Sequence, residues 1–377
     1  MVSRLIRNFT RSGAEPYRLR RLIDARILEE VVGTRSHVIC DIDKTYLETE
    51  FESLVRMARI AFESASDKIT VSGASEVLRA LRWGDDGTTI DLGETWPRPL
   101  HFVSSSPPQL RPVLEEKLMI DDLDWTSDTF KDQAYNLLMG RMDLLRHHVA
   151  YKSLAILAIV AQAGASASFT MLGDNAESDA FIYLGIKLIT ERLLTPKGYA
   201  QYLEIAGVEK DVSAEVVATV KNLPKSTVRS ILIRNVPGYS LVREAPLTDF
   251  VRSFDNFFQA ALLLMADGMI APSLLWPLVR SFHNLHGIPL PQIAGMLSGV
   301  ADAEGAPETV RVAAAQALPR LQANADLEAG KIVSQGLATT DQGLRQMTES
   351  QILAAARTWM EHMRLARSKR PSQPNET

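Results

Sequence analysis

The chain has 377 residues, 46% of them hydrophobic and 23% charged, and a formal net charge of −4. That balance excludes a disordered chain, and so mild a charge argues neither for a nucleic-acid partner nor for strong attraction to a membrane. A lone cysteine, Cys40, excludes an internal disulfide framework, and the longest apolar run, residues 154–161, is far shorter than the roughly 20 residues a bilayer span needs.

Basic residues near the start (Arg4, Arg7, Arg11, Arg18, Arg20 and Arg21) are followed by no apolar core of a secretory signal, so a cytoplasmic location is expected. In residues 16–32 the spacing of Leu19, Leu22, Ile23, Ile27, Leu28, Val31 and Val32 predicts a helix closed by Gly33, an N-terminal helical segment within residues 1–36. Residues 37–40 then form a short β-prone run that ends at Asp41. Helical patterns follow at 47–64 and 74–83, a Gly-, Asp-, Thr- and Pro-rich loop at 84–99, and a strand at 100–103. A helix at 111–118, mostly helical spacing over 130–164, a strand at 168–172, a helix at 180–189 and a strand at 228–233 complete this part. Strands alternating with helices predict an α/β fold, a Rossmann-like parallel sheet with flanking helices and helical insertions over residues 37–240. Beyond about residue 247 the pattern is helical only, at 254–269, 273–285, 291–300 and 309–321, which predicts an all-helical region over 248–366. Residues 367–377 are polar and read as a disordered tail.

Four signals recur in order: D-I-D-K-T at 41–45, S-S-S-P at 104–107, Lys152, and G-D-N-A-E-S-D at 173–179; three of them follow strands directly. Each alone has a plainer reading as a loop, a turn or a solvated side chain. Together they supply what phosphoryl transfer requires. A carboxylate can attack phosphorus, and Asp41 is placed to do so. An anionic ester repels that carboxylate unless a hard cation bridges them. Mg²⁺ suits oxygen ligands and takes few carboxylates, here Asp41 and Asp174. Asp43, two residues after Asp41, can protonate a leaving alkoxide and later accept a proton from water. A hydroxyl and backbone N–H groups at Ser104 to Ser106, with Ser104 and Ser105 foremost, and the ammonium of Lys152 can hold the phosphoryl oxygens.

This order of motifs resembles the haloacid dehalogenase superfamily of phosphatases. The resemblance implies catalytic roles for Asp41, Asp43, Ser104 and Lys152. It also implies a metal site made by Asp41, Asp174 and Asp179 with the main-chain carbonyl of Asp43. More narrowly, V-S-S-S-P-P-Q-L at 103–110, F-T-M-L-G-D-N-A-E-S-D-A-F-I-Y at 169–183 and I-L-I-R-N-V at 231–236 resemble motifs of phosphatidate phosphatases of the actin patch protein type. The resemblance runs from about Val38 to Val236 and implies a phosphate ester as substrate, with a lipid phosphate the leading expectation. The sequence departs from that group's usual pattern at Lys44, Pro108, Asn175 and Ala176, none of which is a catalytic position.

Segments between the motifs are candidates for a cap over the site. Lys131, Arg141, Arg146, His147 and His148 could form a selective surface there, although a solvated helical face is the commoner meaning of such a run. The two histidines lack acidic partners at ligand spacing and read as surface or packed residues. The arginines of the first 21 residues offer peripheral membrane contact, against the commoner reading of an exposed basic helix. Cys40 is expected on the opposite face of its strand from Asp41, in the core. The leading expectation is therefore a Mg²⁺-dependent phosphatase forming an aspartyl phosphate. The alternatives are an enzyme of the same chemistry acting on soluble phosphomonoesters, and a non-catalytic protein whose C-terminal helices bind a partner.

Overall fold

The computed structural model describes residues 23–29, 36–48, 65–84, 97–132, 148–239 and 247–368. Its centre is a seven-stranded sheet built from β1 (Ile23–Ile27), β2 (Ser36–Cys40), β3 (Leu100–Val103), β4 (Ser127–Lys131), β5 (Ser168–Asp174), β6 (Thr227–Arg234) and β7 (Arg252–Phe254). The order across the sheet is β1-β4-β3-β2-β5-β6-β7, parallel throughout except for β1 on the β4 edge.

Around it lie α1 (Ala74–Trp83), α2 (Arg111–Ile120), α3 (His148–Ala163), α4 (Asp179–Thr190), α5 (Pro196–Ile205) and α6 (Lys210–Val220). After β7 come α7 (Phe257–Ala266), α8 (Leu275–Asn284), α9 (Leu290–Ala301), α10 (Glu308–Leu321), α11 (Leu327–Ala338), α12 (Gln342–Gln346) and α13 (Glu349–Ser368). The mixed α/β class, the flanking helices and the helical C-terminal region agree with the sequence reading.

Alternation along each buried strand sorts its side chains into two layers. Val38, Cys40, Leu100, Phe102 and Leu172 pack with α1, α2 and the helices from α7 to α11, whereas Ile39, Val103, Phe169, Met171 and Ile231 pack with α3, α4, α5, α6 and α13. Cys40 accordingly lies on the face away from α3, with its thiol donating to the Asp41 carbonyl oxygen at 3.1 Å. The chain leaves β2 through α1 on one face to reach β3, and enters β5 from α3 on the other. The β2–β5 boundary is thus the switch point of the sheet, where open α/β sheets place their ligands.

Three stretches differ from their sequence patterns. Residues 23–27, expected in a helix, form strand β1. The run I-D-A-R-I alternates strictly, and it pairs antiparallel with β4 from Ile23↔Lys131 to Ile27↔Ser127. The rest of that expected helix lies outside the described residues, except for Leu28 and Glu29. Residues 127–131, of which 130 and 131 were expected in a helix, form β4, which is buried although polar. Its Asp128 is satisfied by Arg111 Nε at 2.7 Å and Trp125 Nε1 at 3.0 Å. Finally, Arg252–Phe254 adds an edge strand where only helices were expected, because Phe254 covers the layer beneath β6 and its neighbours pair with that strand.

The last helices are part of the core. α7 is apolar on every side except at Gln259 and almost wholly buried, as a helix inserted beneath a sheet must be. α13 returns to the other face, where Trp359 sits 5.5 Å from Phe181, which in turn stacks on Tyr202 at 4.1 Å. This layer backs α4 and so holds the start of that helix, Asp179, against β5. No helix among the described residues is long and apolar enough to cross a membrane.

Candidate active site

β2 ends by extending its ladder one residue further, the Asp41 N–H donating to the Leu172 carbonyl at 2.9 Å. Asp41 belongs by alternation to the α3 face, and its fully buried carboxylate meets Lys152 of that helix, Oδ1 to Nζ, at 2.8 Å. Its Oδ2 is buried and has no hydrogen-bond partner among the described residues. Burial pushes the Asp41 carboxyl well above its usual range; Lys152 opposes this, and Asp179, Glu177 and Asp174 reinforce it.

Past Asp41 the chain turns sharply. Lys44 takes the left-handed conformation (φ 59°), unusual for a side chain of this size. Its carbonyl accepts from Arg234 Nη1 at 2.7 Å and its ammonium donates to Tyr239 Oη at 3.1 Å, so the turn is tied to the end of β6 and the loop beyond it. The turn brings Asp43 over the loop after β3. Asp43 Oδ2 accepts from Ser104 Oγ at 2.9 Å and Ser106 Oγ at 2.8 Å, while Ser104 Oγ accepts the Ser106 N–H at 2.9 Å. Ser105 is buried beside them. Tyr151 of α3 closes this group by donating its hydroxyl to the Ser104 carbonyl at 2.9 Å.

Lys152 is buried and touches three carboxylates: Asp179 at 2.6 Å, Asp41 at 2.8 Å and Glu177 at 3.0 Å. Burial would pull its ammonium toward the neutral form, but these acids outweigh burial and hold its pKa well above the ordinary value. Asp174, at the end of β5, receives the N–H groups of Ala176 (2.6 Å) and Glu177 (3.1 Å) on Oδ1, and the Thr45 hydroxyl at 3.4 Å on Oδ2. Burial, Asp179 and Glu177 push its carboxyl up to about 8. Asp179 is committed on both oxygens, Oδ1 to Lys152 and Oδ2 to the Asp174 N–H at 3.3 Å. Gly173 makes this fit possible, since a Cβ there would lie 2.6 Å from Asp179 Oδ2 and 2.7 Å from the Tyr183 ring.

Asp41, Asp43, Ser104, Ser105, Lys152, Asp174 and Asp179 thus converge at one end of the sheet. Sequence reasoning placed Ser106 only among the phosphate donors, not on Asp43, and assigned no role to Glu177, Thr45 or Tyr151. Ser106 and Glu177 lay inside the motifs, and their contacts with Asp43 and Lys152 had no spacing signal of their own. Lys131 is not on a solvated helical face: it ends β4 and is wholly buried. His148 opens α3 and, with Lys152 and Lys44, overcomes burial to hold Glu177 down at about 2. Arg141, Arg146, His147 and the N-terminal arginines lie outside the described residues, as do most of the intervening segments considered as caps.

One oxygen from each of Asp41, Asp174 and Asp179 lies within 4.8 Å of the others. These carboxylates and Glu177 surround the single ammonium of Lys152, leaving excess negative charge. A hard divalent cation fits that imbalance, the oxygen-only donor set and the unpartnered Asp41 Oδ2.

Fold and site together define an α/β protein with a buried carboxylate–lysine centre at the switch point of its sheet. Residues 36–190, less than half the chain, match the family model described as phosphatidate phosphatase APP1, catalytic domain. The matched segment runs from β2 through α4, carries the whole carboxylate–lysine centre, and suggests a phosphatase, hence a hydrolase. Neither the search of curated proteins nor the search of solved structures finds a match.

Proposed function

We propose that this chain is a Mg²⁺-dependent phosphomonoesterase of the haloacid dehalogenase type, acting on phosphatidate or a related lipid phosphate. The observation that carries the chemistry is the Asp41 carboxylate. It is buried at the strand end, oriented through Oδ1 by Lys152, and open at Oδ2. An Asp41 oxygen attacks phosphorus and the ester P–O bond breaks. Asp43 gives its proton to the departing alkoxide, leaving an aspartyl phosphate and an alcohol. Water then attacks the same phosphorus with Asp43 taking its proton, and the Asp41–phosphorus bond breaks to release phosphate and restore the carboxylate. Ser104 and Ser106 keep the Asp43 carboxyl aimed at this point by donating to its Oδ2.

Asp41, Asp174 and the Asp43 carbonyl would hold the cation directly. Asp179 would support it by fixing Lys152 and the Asp174 backbone. Bound there, Mg²⁺ offsets the repulsion between the attacking carboxylate and an anionic ester. The lipid substrate rests on the family match over residues 36–190, and peripheral contact with a membrane surface would follow from it.

The test is a comparison at fixed Mg²⁺ of phosphatidate in mixed micelles with soluble phosphomonoesters. Phosphatidate should give the higher kcat/KM, by about tenfold or more, as expected when a site uses the remote part of its substrate. A preference for soluble esters would reject the lipid substrate and leave the phosphatase chemistry in place.

A further inference from the structure

Lys152 is the cation that the motif order assigns to the phosphoryl group, yet its ammonium is already held by Asp41, Asp179 and Glu177. An incoming phosphate monoester brings up to two more negative charges to the same place. Lys131 is the nearby cation the motifs do not include. It ends β4, with no exposed surface. Its backbone N–H donates to the Ser106 carbonyl at 3.0 Å, and the Ser106 hydroxyl in turn holds Asp43. Its ammonium lies 6.0 Å from the ring centre of Tyr151, whose hydroxyl is bonded to the Ser104 carbonyl. The same ammonium senses the charges of Glu177 and Lys152. It therefore lies beside the serine loop and the start of α3, two of the elements that bound the Asp41 centre.

We propose that Lys131 is the phosphate-binding cation of this site, receiving the non-transferred oxygens of the phosphoryl group while Lys152 remains with the carboxylates. The inference rests on the phosphatase reading above and adds to it a residue outside the four motifs. Burial lowers the Lys131 pKa to about 8, with Lys152 acting in the same direction and Glu177 against it. Other ionisable groups bordering it are Tyr151 on α3, Asp43 across Ser106 and its chain neighbour Asp132. The ammonium is charged at pH 7 and mostly neutral by pH 9, so affinity for a dianion should fall through this interval.

The experiment is calorimetric titration of the full chain with sulfate, a dianion throughout this range, at fixed Mg²⁺ and at pH 7, 8 and 9. From pH 7 to 9 the unsubstituted protein should lose about tenfold more affinity than Lys131→Arg, whose guanidinium stays charged. Lys131→Met should bind sulfate about tenfold or more weakly at pH 7. If Lys131→Met does not fold, as judged by circular dichroism, the Lys131→Arg profile decides alone. Equal pH slopes for the unsubstituted and Lys131→Arg proteins would overturn the proposal, as would undiminished sulfate binding by a folded Lys131→Met. Because the readout is anion binding, it separates from the phosphatase reading. Lys131-dependent binding without hydrolysis of any ester would reject that reading alone, and hydrolysis with a KM indifferent to Lys131→Met would reject this inference alone.

Discussion

Asp41→Asn is expected to abolish turnover and to leave the protein at least as stable as its parent. An amide oxygen is a poor nucleophile and a poor ligand for a hard cation, so both functions proposed for this side chain are lost together. Removing a covalent nucleophile costs about four orders of magnitude in kcat or more. Stability should move the other way. Asp41 is buried among carboxylates, and burial with the charges of Asp179, Glu177 and Asp174 raises its pKa against the pull of Lys152. A neutral amide of nearly the same shape removes that repulsion, while Lys152 keeps Asp179 and Glu177 as partners. In metal-free protein the gain should be about 1 kcal/mol, a rise of about 1 °C in Tm for a chain of this size. Steady-state hydrolysis of an aryl phosphate and thermal denaturation measure the two effects. Loss of both activity and stability would mean that Asp41 is a structural carboxylate.

Lys152→Met should also abolish turnover, but with the opposite effect on stability. The substitution preserves the stem and removes the one ammonium that touches Asp41, Glu177 and Asp179. Breaking such a buried ion pair from one side costs about 3–5 kcal/mol. The pH dependence identifies the cause. Asp41 and Asp179 already titrate above the usual carboxylate range in the folded protein. Without Lys152 their folded pKa values rise further, and the folded state binds more protons than the unfolded one. Stability then increases as pH falls from 8 toward the unfolded carboxylate value near 4. Denaturant unfolding of Lys152→Met should therefore show a deficit at pH 8 that shrinks by pH 5. A deficit that does not change over that range would point to lost packing of the lysine stem instead.

The carboxylate–lysine centre was legible because its residues follow apolar, β-prone runs. Val38-Ile39-Cys40 and the run Phe169-Thr170-Met171-Leu172 mark buried strands, and their ends deliver Asp41 and Asp174 to one side of the sheet. Lys152 was placed by its order in the chain, and its three carboxylate contacts explain why a buried position suits it. What stayed hidden was polar or long-range. β4 has one strongly apolar residue, Phe130, and is a strand because Asp128, Thr129 and their neighbours find partners on α2 and β3. β1 was taken for a helix because its isoleucines fit both periods within so short a run, and only the open edge of β4 decides between them. Lys131 inherited the misreading of its strand. Glu177 sits two residues before Asp179 inside a recognised motif, but its contact with Lys152 depends on how α3 crosses the sheet. The helices after β7 were visible from their spacing, whereas the packing of Trp359 onto Phe181 behind Asp179 carries no local signal.

The central proposal is that Asp41 forms a covalent bond to phosphorus, and trapping that bond is its most direct measurement. The enzyme is mixed with an ester carrying a radiolabelled phosphoryl group, quenched in acid during turnover, digested and mapped by mass spectrometry. Hydroxylamine-labile label on Asp41, absent from Asp41→Asn, is the expected result. Sustained hydrolysis with no labelled protein at any quench time, or label retained by Asp41→Asn, would contradict it.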